Sequence, residues 1–127
     1  MATDTRIPRG MRGEAAAAAY LMQHGYRVLA RNFRTRAGEL DIVAADARCL
    51  VFCEVKTRVA CGSAGPATPL EAIGPNKRRQ VRQMAREWFA RGVFEGERPP
   101  GTRFDAIGVV LDRSGRLLAL EHVEDAF

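Results

Sequence analysis

The clearest alternation of apolar and polar positions lies within residues 38–58. In the first half of this segment apolar residues alternate with Glu39 and Asp41. In the second half, residues 50–57, the side chains are apolar on both faces until Glu54. A repeat of two residues indicates β-strands, so the two halves predict one β-hairpin.

Two other segments have a helical pattern. Residues 11–24 are rich in alanine and favour a helix, which Gly25 is placed to end. Residues 75–92 begin with Pro75, which is well accepted at the first position of a helix. The apolar residues of this second segment recur every three or four positions, as an amphipathic helix requires: Val81, Met84, Ala85, Trp88 and Phe89.

The remaining apolar segments predict three more strands. These are residues 26–32, 103–111 and 117–123, and a basic turn is expected at residues 33–38. Residues 61–69 are rich in Gly and Pro, which indicates either a loop that contacts substrate or a plain connector. The order helix, three strands, helix, strand, strand predicts an α+β fold in which helices flank a mixed sheet.

The length of the chain limits its domain organisation. A chain of 127 residues can bury one hydrophobic core but not two. We therefore expect a flexible arm at residues 1–10 and a single domain at residues 11–127.

Composition points to a cytoplasmic protein that does not enter a membrane. No apolar run is long enough to span a bilayer, and residues 1–11 are too polar for a signal peptide. Cys49, Cys53 and Cys61 form no C-x-x-C pair, so we expect free thiols rather than zinc ligands.

Positive charge is concentrated on the second predicted helix. The chain has a formal net charge of +5, and its excess of arginine suits bidentate contacts with phosphate. The polar face of the helix carries Lys77, Arg78, Arg82 and Arg86, with Glu87 as the nearby acid. This face either follows a phosphate backbone or is simply solvated.

Three residues of the hairpin are candidates for a metal site. Glu54 and Lys56 project on the same side of their strand, about 7 Å apart. If Ala47 and Arg48 form a two-residue turn, Asp41 lies opposite Glu54 with the Cβ atoms roughly 5 Å apart. Carboxylates so close ionise readily only when a hard cation with oxygen ligands lies between them.

Other interpretations of these residues stay open. A register slip of one residue would send Asp41 to the opposite face of the sheet. An ordinary hairpin with a salt-bridged surface would also carry such charges. Glu14 either interacts with the positive end of the first helix or lies beside the metal.

The chain also contains a set of short motifs that extends from residue 11 to the end: Gly13-Glu14, Asn32-Phe33-Arg34, Gly38-Glu39-Leu40-Asp41, residues 52–58, Lys77, Arg103-Phe104-Asp105 and residues 122–127. Together these motifs resemble the bacterial YraN family. That family is predicted to consist of endonucleases distantly related to archaeal Holliday junction resolvases, within the PD-(D/E)xK nuclease superfamily.

The resemblance implies a restriction-endonuclease-like αβββαβ core and assigns roles to particular residues. Asp41, Glu54 and the main-chain carbonyl of Val55 would be metal ligands, and Lys56 would be the catalytic lysine. Glu14 matches the catalytic acid of the first helix. The residue before the first metal-binding acid is leucine instead of the usual proline, a departure that the superfamily tolerates.

The resemblance also implies a Mg²⁺-dependent endonuclease that acts on DNA, with Mn²⁺ as a substitute. Branched DNA and recombination intermediates are candidate substrates, and the preferred DNA structure stays open. A homodimer is expected by analogy, because a junction has two-fold symmetry. Six basic residues are expected to contact phosphates without reading the DNA sequence: Arg34, Arg36, Arg58, Lys77, Arg78 and Arg82.

Two alternatives to the enzyme remain. The nuclease fold can serve as a catalytically weak or inactive module for DNA binding or assembly in recombination or DNA uptake. A small structural adaptor with a solvated basic helix is the other alternative.

Overall fold

The computed structural model describes residues 9–60, 74–92 and 96–127. Within these residues two helices and five strands follow one another: α1 (Arg9–Gln23), β1 (Arg27–Thr35), β2 (Gly38–Ala45), β3 (Cys49–Val59), α2 (Pro75–Ala90), β4 (Gly101–Leu111) and β5 (Leu117–Val123). The predicted loop at residues 61–69 lies outside the described residues. So does the predicted flexible arm, apart from residues 9 and 10, which belong to α1.

The strands form one sheet in the order β1-β2-β3-β4-β5. The β3–β4 pair is parallel, and the other three neighbouring pairs are antiparallel. The predicted α+β class with a mixed sheet is therefore confirmed, and the order of elements is consistent with a restriction-endonuclease-like core. None of the helices in the described ranges is both long and apolar enough to cross a membrane.

Each face of the sheet is covered by one helix. On the α1 face the buried cluster includes Leu21, Ile42 and Val51. On the α2 face Phe52 packs edge to face against Trp88, with ring centroids 5.8 Å apart. Consecutive residues of β3 therefore enter opposite cores, which explains why residues 50–53 are apolar without interruption.

The turn between β2 and β3 has the predicted two-residue connection. The Asp46 N–H donates to the Cys49 carbonyl at 3.0 Å, and Asp46 Oδ1 accepts from the N–H groups of Arg48 and Cys49 at 2.9 and 2.8 Å. The aspartate replaces the Asn-Gly or Asp-Gly pair that usually fixes such a turn. The resulting register pairs Ile42 with Cys53, so the predicted register is confirmed.

The first strand is longer than its sequence pattern predicted. Residues 33–35 were expected in a basic turn, but they belong to β1, and only residues 36 and 37 form the turn. The ion pair between Arg34 and Glu39, and a 2.6 Å hydrogen bond from Thr35 Oγ1 to Glu87 on α2, stabilise this extension. The bond from Thr35 to Glu87 joins segments that are 52 residues apart, so local periodicity did not reveal it.

Candidate metal centre

The candidate centre lies where β2 and β3 separate. The last residues paired between these strands are Ile42 and Cys53, so Asp41 and Glu54 follow directly beyond the ladder. There the Val55 N–H donates to Asp41 Oδ2 at 2.8 Å. The Asp41 carboxylate thus accepts the hydrogen bond that a main-chain carbonyl would accept in a regular ladder. The Asp41 carboxylate is thereby fixed at the gap between the strands.

Asp41 forms an acidic cluster with Glu14 of α1 and Glu39 of β2. One carboxylate oxygen from each of the three residues lies within 4.8 Å of the other two. Glu14 is only 6% exposed, and its Oε1 has no hydrogen-bond partner among the described residues. A basic group, Arg31 Nε, lies 3.9 Å from that oxygen. A buried carboxylate oxygen without a donor is unfavourable unless another positive group satisfies it.

Glu54 brings a second buried carboxyl group to Asp41 from the α2 side. It is 3% exposed. Its Oε1 lies 3.1 Å from Lys77 Nζ and 4.0 Å from Lys56 Nζ. Its Oε2 has no hydrogen-bond partner in the part of the chain that the structure describes. Each of the two buried glutamates therefore presents one unsatisfied oxygen.

Both buried glutamates hold protons more tightly than usual. Burial, followed by the negative charge of Asp41, raises the pKa of Glu14 to about 7, although Arg31 opposes the shift. Burial and Asp41 likewise raise the pKa of Glu54 to about 7, against the effect of Lys77. Asp41 is common to both shifts because like charges at short range disfavour a second ionisation.

The unfolding free energy of the cation-free protein should therefore fall as pH rises towards neutrality. Between about pH 4.5 and 7 the folded protein holds protons on Glu14 and Glu54 that the unfolded chain has released. This contribution to stability is full below the unfolded pKa and is lost as pH rises through the folded pKa. Urea unfolding in EDTA at several pH values would measure it. Glu54→Gln should flatten the decline relative to wild type, and an unchanged slope would contradict the assignment.

The other residues predicted on β3 lie beside the centre. Lys56 is on the same face of β3 as Glu54, and its side chain is 38% exposed. Val55 is held by Asp41 through its N–H. Arg58 continues the row formed by Glu54 and Lys56, and its Nε is buried without a hydrogen-bond partner in the described ranges. The structure thus places Lys56 beside Glu54, and Asp41 next to them through Val55. Among the described residues the close acidic cluster does not include Glu54, and the roles of these residues stay predictions.

The predicted phosphate contacts fall into two groups. Arg34 and Arg36 are exposed near the β1–β2 turn, where Arg34 Nε lies 3.4 Å from Glu39 Oε2. On α2, Arg78 is exposed. Lys77 is engaged with Glu54. Arg82 is exposed. It donates to the Phe127 carbonyl at 2.6 Å and stacks on the ring of Phe104.

Glu39 is the member of the acidic cluster that the sequence analysis did not single out. The signal was present, because Glu39 and Asp41 are two residues apart on one strand and so tend to share a face. What the sequence lacked was the position of α1, which places Glu14 against both.

A buried polar network was also missed. Asp105 is fully buried and accepts hydrogen bonds from Arg103, from His122 Nε2 at 2.7 Å and from the Asp125 N–H at 2.9 Å. Burial alone would raise the pKa of Asp105, but the hydrogen bonds from His122 and Arg103 hold it below its usual range. Since Asp105 pairs with Cys53, next to Glu54, the network supports the centre from β4.

Comparison with known proteins places the chain among relatives of similar length. The family described as "Uncharacterised protein family UPF0102" matches residues 13–109. The chain belongs to this family. It is the YraN family that the sequence motifs resemble, and the matched range contains the acidic cluster, Glu54, both lysines and Asp105.

Individual members of the UPF0102 family align over most of the chain. The UPF0102 protein of Moorella thermoacetica is 42% identical over 125 residues, covering 98% of this chain and 99% of that protein. The one from Geobacter sulfurreducens is 44% identical over 118 residues, covering 93% and 87%. The one from Streptomyces griseus is 46% identical over 106 residues, covering 84% and 85%.

Proposed function

We propose that this member of the UPF0102 family is a divalent-cation-dependent endonuclease that hydrolyses phosphodiester bonds in DNA. One observation carries the proposal. Two buried glutamates with raised pKa values flank Asp41, each with an unsatisfied oxygen, beside two lysines. Perturbed carboxyl groups that converge with lysines are typical of a reaction centre, because structural stability alone does not favour such an arrangement.

The residues fit a hard cation. Mg²⁺ and Mn²⁺ prefer carboxylate and carbonyl oxygens, and Glu14, Glu39 and Asp41 offer three carboxylate oxygens within 4.8 Å of one another. Glu54 and the Val55 carbonyl are the further ligands that the family resemblance implies. A cation held by this cluster would satisfy the unpartnered oxygen of Glu14 and offset the negative charge of Asp41.

The roles of the protein groups follow from their positions. When bound, the cation supplies Lewis-acid polarisation of the phosphate and lowers the pKa of attacking water. Lys56, partly exposed beside Glu54, orients the attacking water or stabilises negative charge that develops on the phosphate. Asp41 links β2 to β3 at the centre by accepting a hydrogen bond from the Val55 N–H.

The proposed substrate is DNA held through its phosphates. The net charge of +5 and the exposed side chains of Arg34, Arg36 and Arg78 support this choice. The resemblance to resolvases adds branched DNA to the substrates that need to be tested.

Incubation of the purified protein with branched, single-stranded and duplex DNA tests the proposal. Cleavage should require Mg²⁺ or Mn²⁺, and Lys56→Ala should lose rate while it still binds the cation, because the role of Lys56 belongs to the transition state. Tight DNA binding without cleavage of any of these substrates would instead identify a DNA-binding or assembly module.

DNA affinity should depend steeply on salt concentration. Arg78→Ala should reduce the slope of log K against log salt by about one unit, because each phosphate contact releases about one counterion. Arg48→Ala is the matched control. It removes the same charge from the exposed β2–β3 turn at the other end of β3. Fluorescence anisotropy with labelled duplex measures both slopes, and equal slopes for the two variants would remove Arg78 from the interface.

A further inference from the structure

A hollow beside α2 extends the candidate centre. It has a volume of about 680 Å³ and lies between the β1–β2 turn and the first half of the helix. It is lined by Ala37, Asn76, Lys77, Arg79, Gln80 and Gln83. Two of these side chains are cations, three are carboxamides, and none is an acid. The lining therefore suits an anionic, hydrogen-bonding ligand.

One hydrogen bond ties the two sides of the hollow together. Gln80 Nε2 donates to the Ala37 carbonyl at 2.7 Å, which holds the β1–β2 turn against the helix. Arg79 donates to the side chain of Asn76. The first turn of α2 contains no acidic residue that would compete with an anion.

Lys77 connects the hollow to the candidate metal centre. Its side chain lines the hollow, while its Nζ lies 3.1 Å from Glu54 Oε1. One ammonium group thus neutralises the carboxylate that a cation needs and also faces the space beside it. A cation at Glu54 and an ammonium at Glu54 repel each other, so the two compete.

We propose that this hollow binds a phosphate group of the DNA strand, next to the phosphate that is cut. When the strand binds, the ammonium group of Lys77 leaves Glu54 and pairs with this phosphate. The exchange leaves Glu54 free for the cation. This inference rests on the proposed function and adds a second phosphate position to it. It also makes Lys77 a positioning residue that couples DNA binding to cation binding.

Lys77→Met should have two opposite effects. Without DNA, at a pH above 8, Mn²⁺ should bind about tenfold more tightly than to wild type, because the competing positive charge is gone. In EDTA, affinity for DNA should fall about tenfold, because one charge-assisted contact with phosphate is lost. Arg86→Met removes a charge from an exposed position of the same helix, outside the hollow, and should change either affinity by no more than about twofold.

Calorimetric titration with Mn²⁺ and anisotropy with labelled DNA measure the two effects. Unchanged or weaker Mn²⁺ binding by Lys77→Met would overturn the exchange. DNA affinity that falls no further than in Arg86→Met would overturn the phosphate site. Neither readout requires cleavage. Wild-type protein that binds DNA and Mn²⁺ without cutting would refute the endonuclease, while the phosphate site and the competition of Lys77 with the cation would still be decided by these measurements.

The chemistry of the ligand is tested by replacing single phosphates of the oligonucleotide with neutral methylphosphonates. At one position, this replacement should weaken the binding of the oligonucleotide to wild type and to Arg86→Met, but it should not weaken binding to Lys77→Met. Competition by inorganic phosphate distinguishes the sources, because a site built for a strand should not be saturated by free phosphate at concentrations that leave DNA bound. If no position shows this dependence on Lys77, the hollow does not hold a backbone phosphate.

Discussion

Asp41→Asn should abolish cleavage of DNA, with a loss in rate of at least about a thousandfold. The reason is that Asp41 is common to both halves of the centre: it lies in the acidic cluster with Glu14 and Glu39, and its charge acts on Glu54. Asparagine keeps an oxygen that can accept from the Val55 N–H, so the strands should stay in place. The lost activity would then report the lost charge and not a lost fold.

The same substitution should not weaken DNA binding in the absence of divalent cations. Removal of a negative charge near the phosphates leaves affinity unchanged or slightly higher, since the repulsion between carboxylate and backbone falls. Mn²⁺ binding measured by calorimetry should become undetectable. Glu124→Gln is the matched control, because Glu124 is exposed and lies outside the acidic cluster. Cleavage by Asp41→Asn at the control rate would refute the proposed centre.

Asp105→Ala should lower the free energy of unfolding by about 3 to 5 kcal/mol, the range found when one partner of a buried ion pair is removed. Arg103, whose side chain is 17% exposed, would lose its bidentate partner. His122 Nε2 and the Asp125 N–H would lose their acceptor. Urea unfolding followed by circular dichroism measures the change.

Two further variants test whether the loss of stability comes from the buried network around Asp105. Glu124→Ala, which removes only a 3.7 Å contact from an exposed carboxylate to Arg103, should stay within about 0.5 kcal/mol of wild type. The double replacement of Arg103 and Asp105 by leucine should cost less than the sum of the single replacements, because no charge is left buried without a partner. A loss below about 1 kcal/mol in Asp105→Ala would show that the network contributes little to stability.

Local physical chemistry explains what could be predicted from the sequence. Gly25 ends α1 with a positive φ of 89°, and the Tyr26 N–H donates to the Leu21 carbonyl at 3.0 Å. A residue without a Cβ adopts that conformation readily wherever a helix stops. The hairpin register followed in the same way from a two-residue turn, which places Asp41 next to Glu54 in any fold that keeps the hairpin.

Contacts between segments that are distant in the sequence could not be predicted from local patterns. The three acids of the cluster come from α1 and β2, and only the packing of α1 on the sheet brings Glu14 to Glu39. Lys77 was expected to face DNA, yet it contacts Glu54. Arg82 was expected to contact phosphate, yet it donates to Phe127. A long charged side chain can reach several partners, and its sequence position does not choose among them.

The sequence by itself therefore determined the helices, the strands, the hairpin register and the residues that can carry metal chemistry, because each depends on backbone preferences or on side-chain alternation within a few residues. The tertiary structure alone decided the length of β1, the membership of Glu39 in the acidic cluster, the Asp105 network and the pairing of Lys77 with Glu54. Each of these depends on which faces meet when the helices pack on the sheet, and burial then sets the charge state of the groups that are brought together.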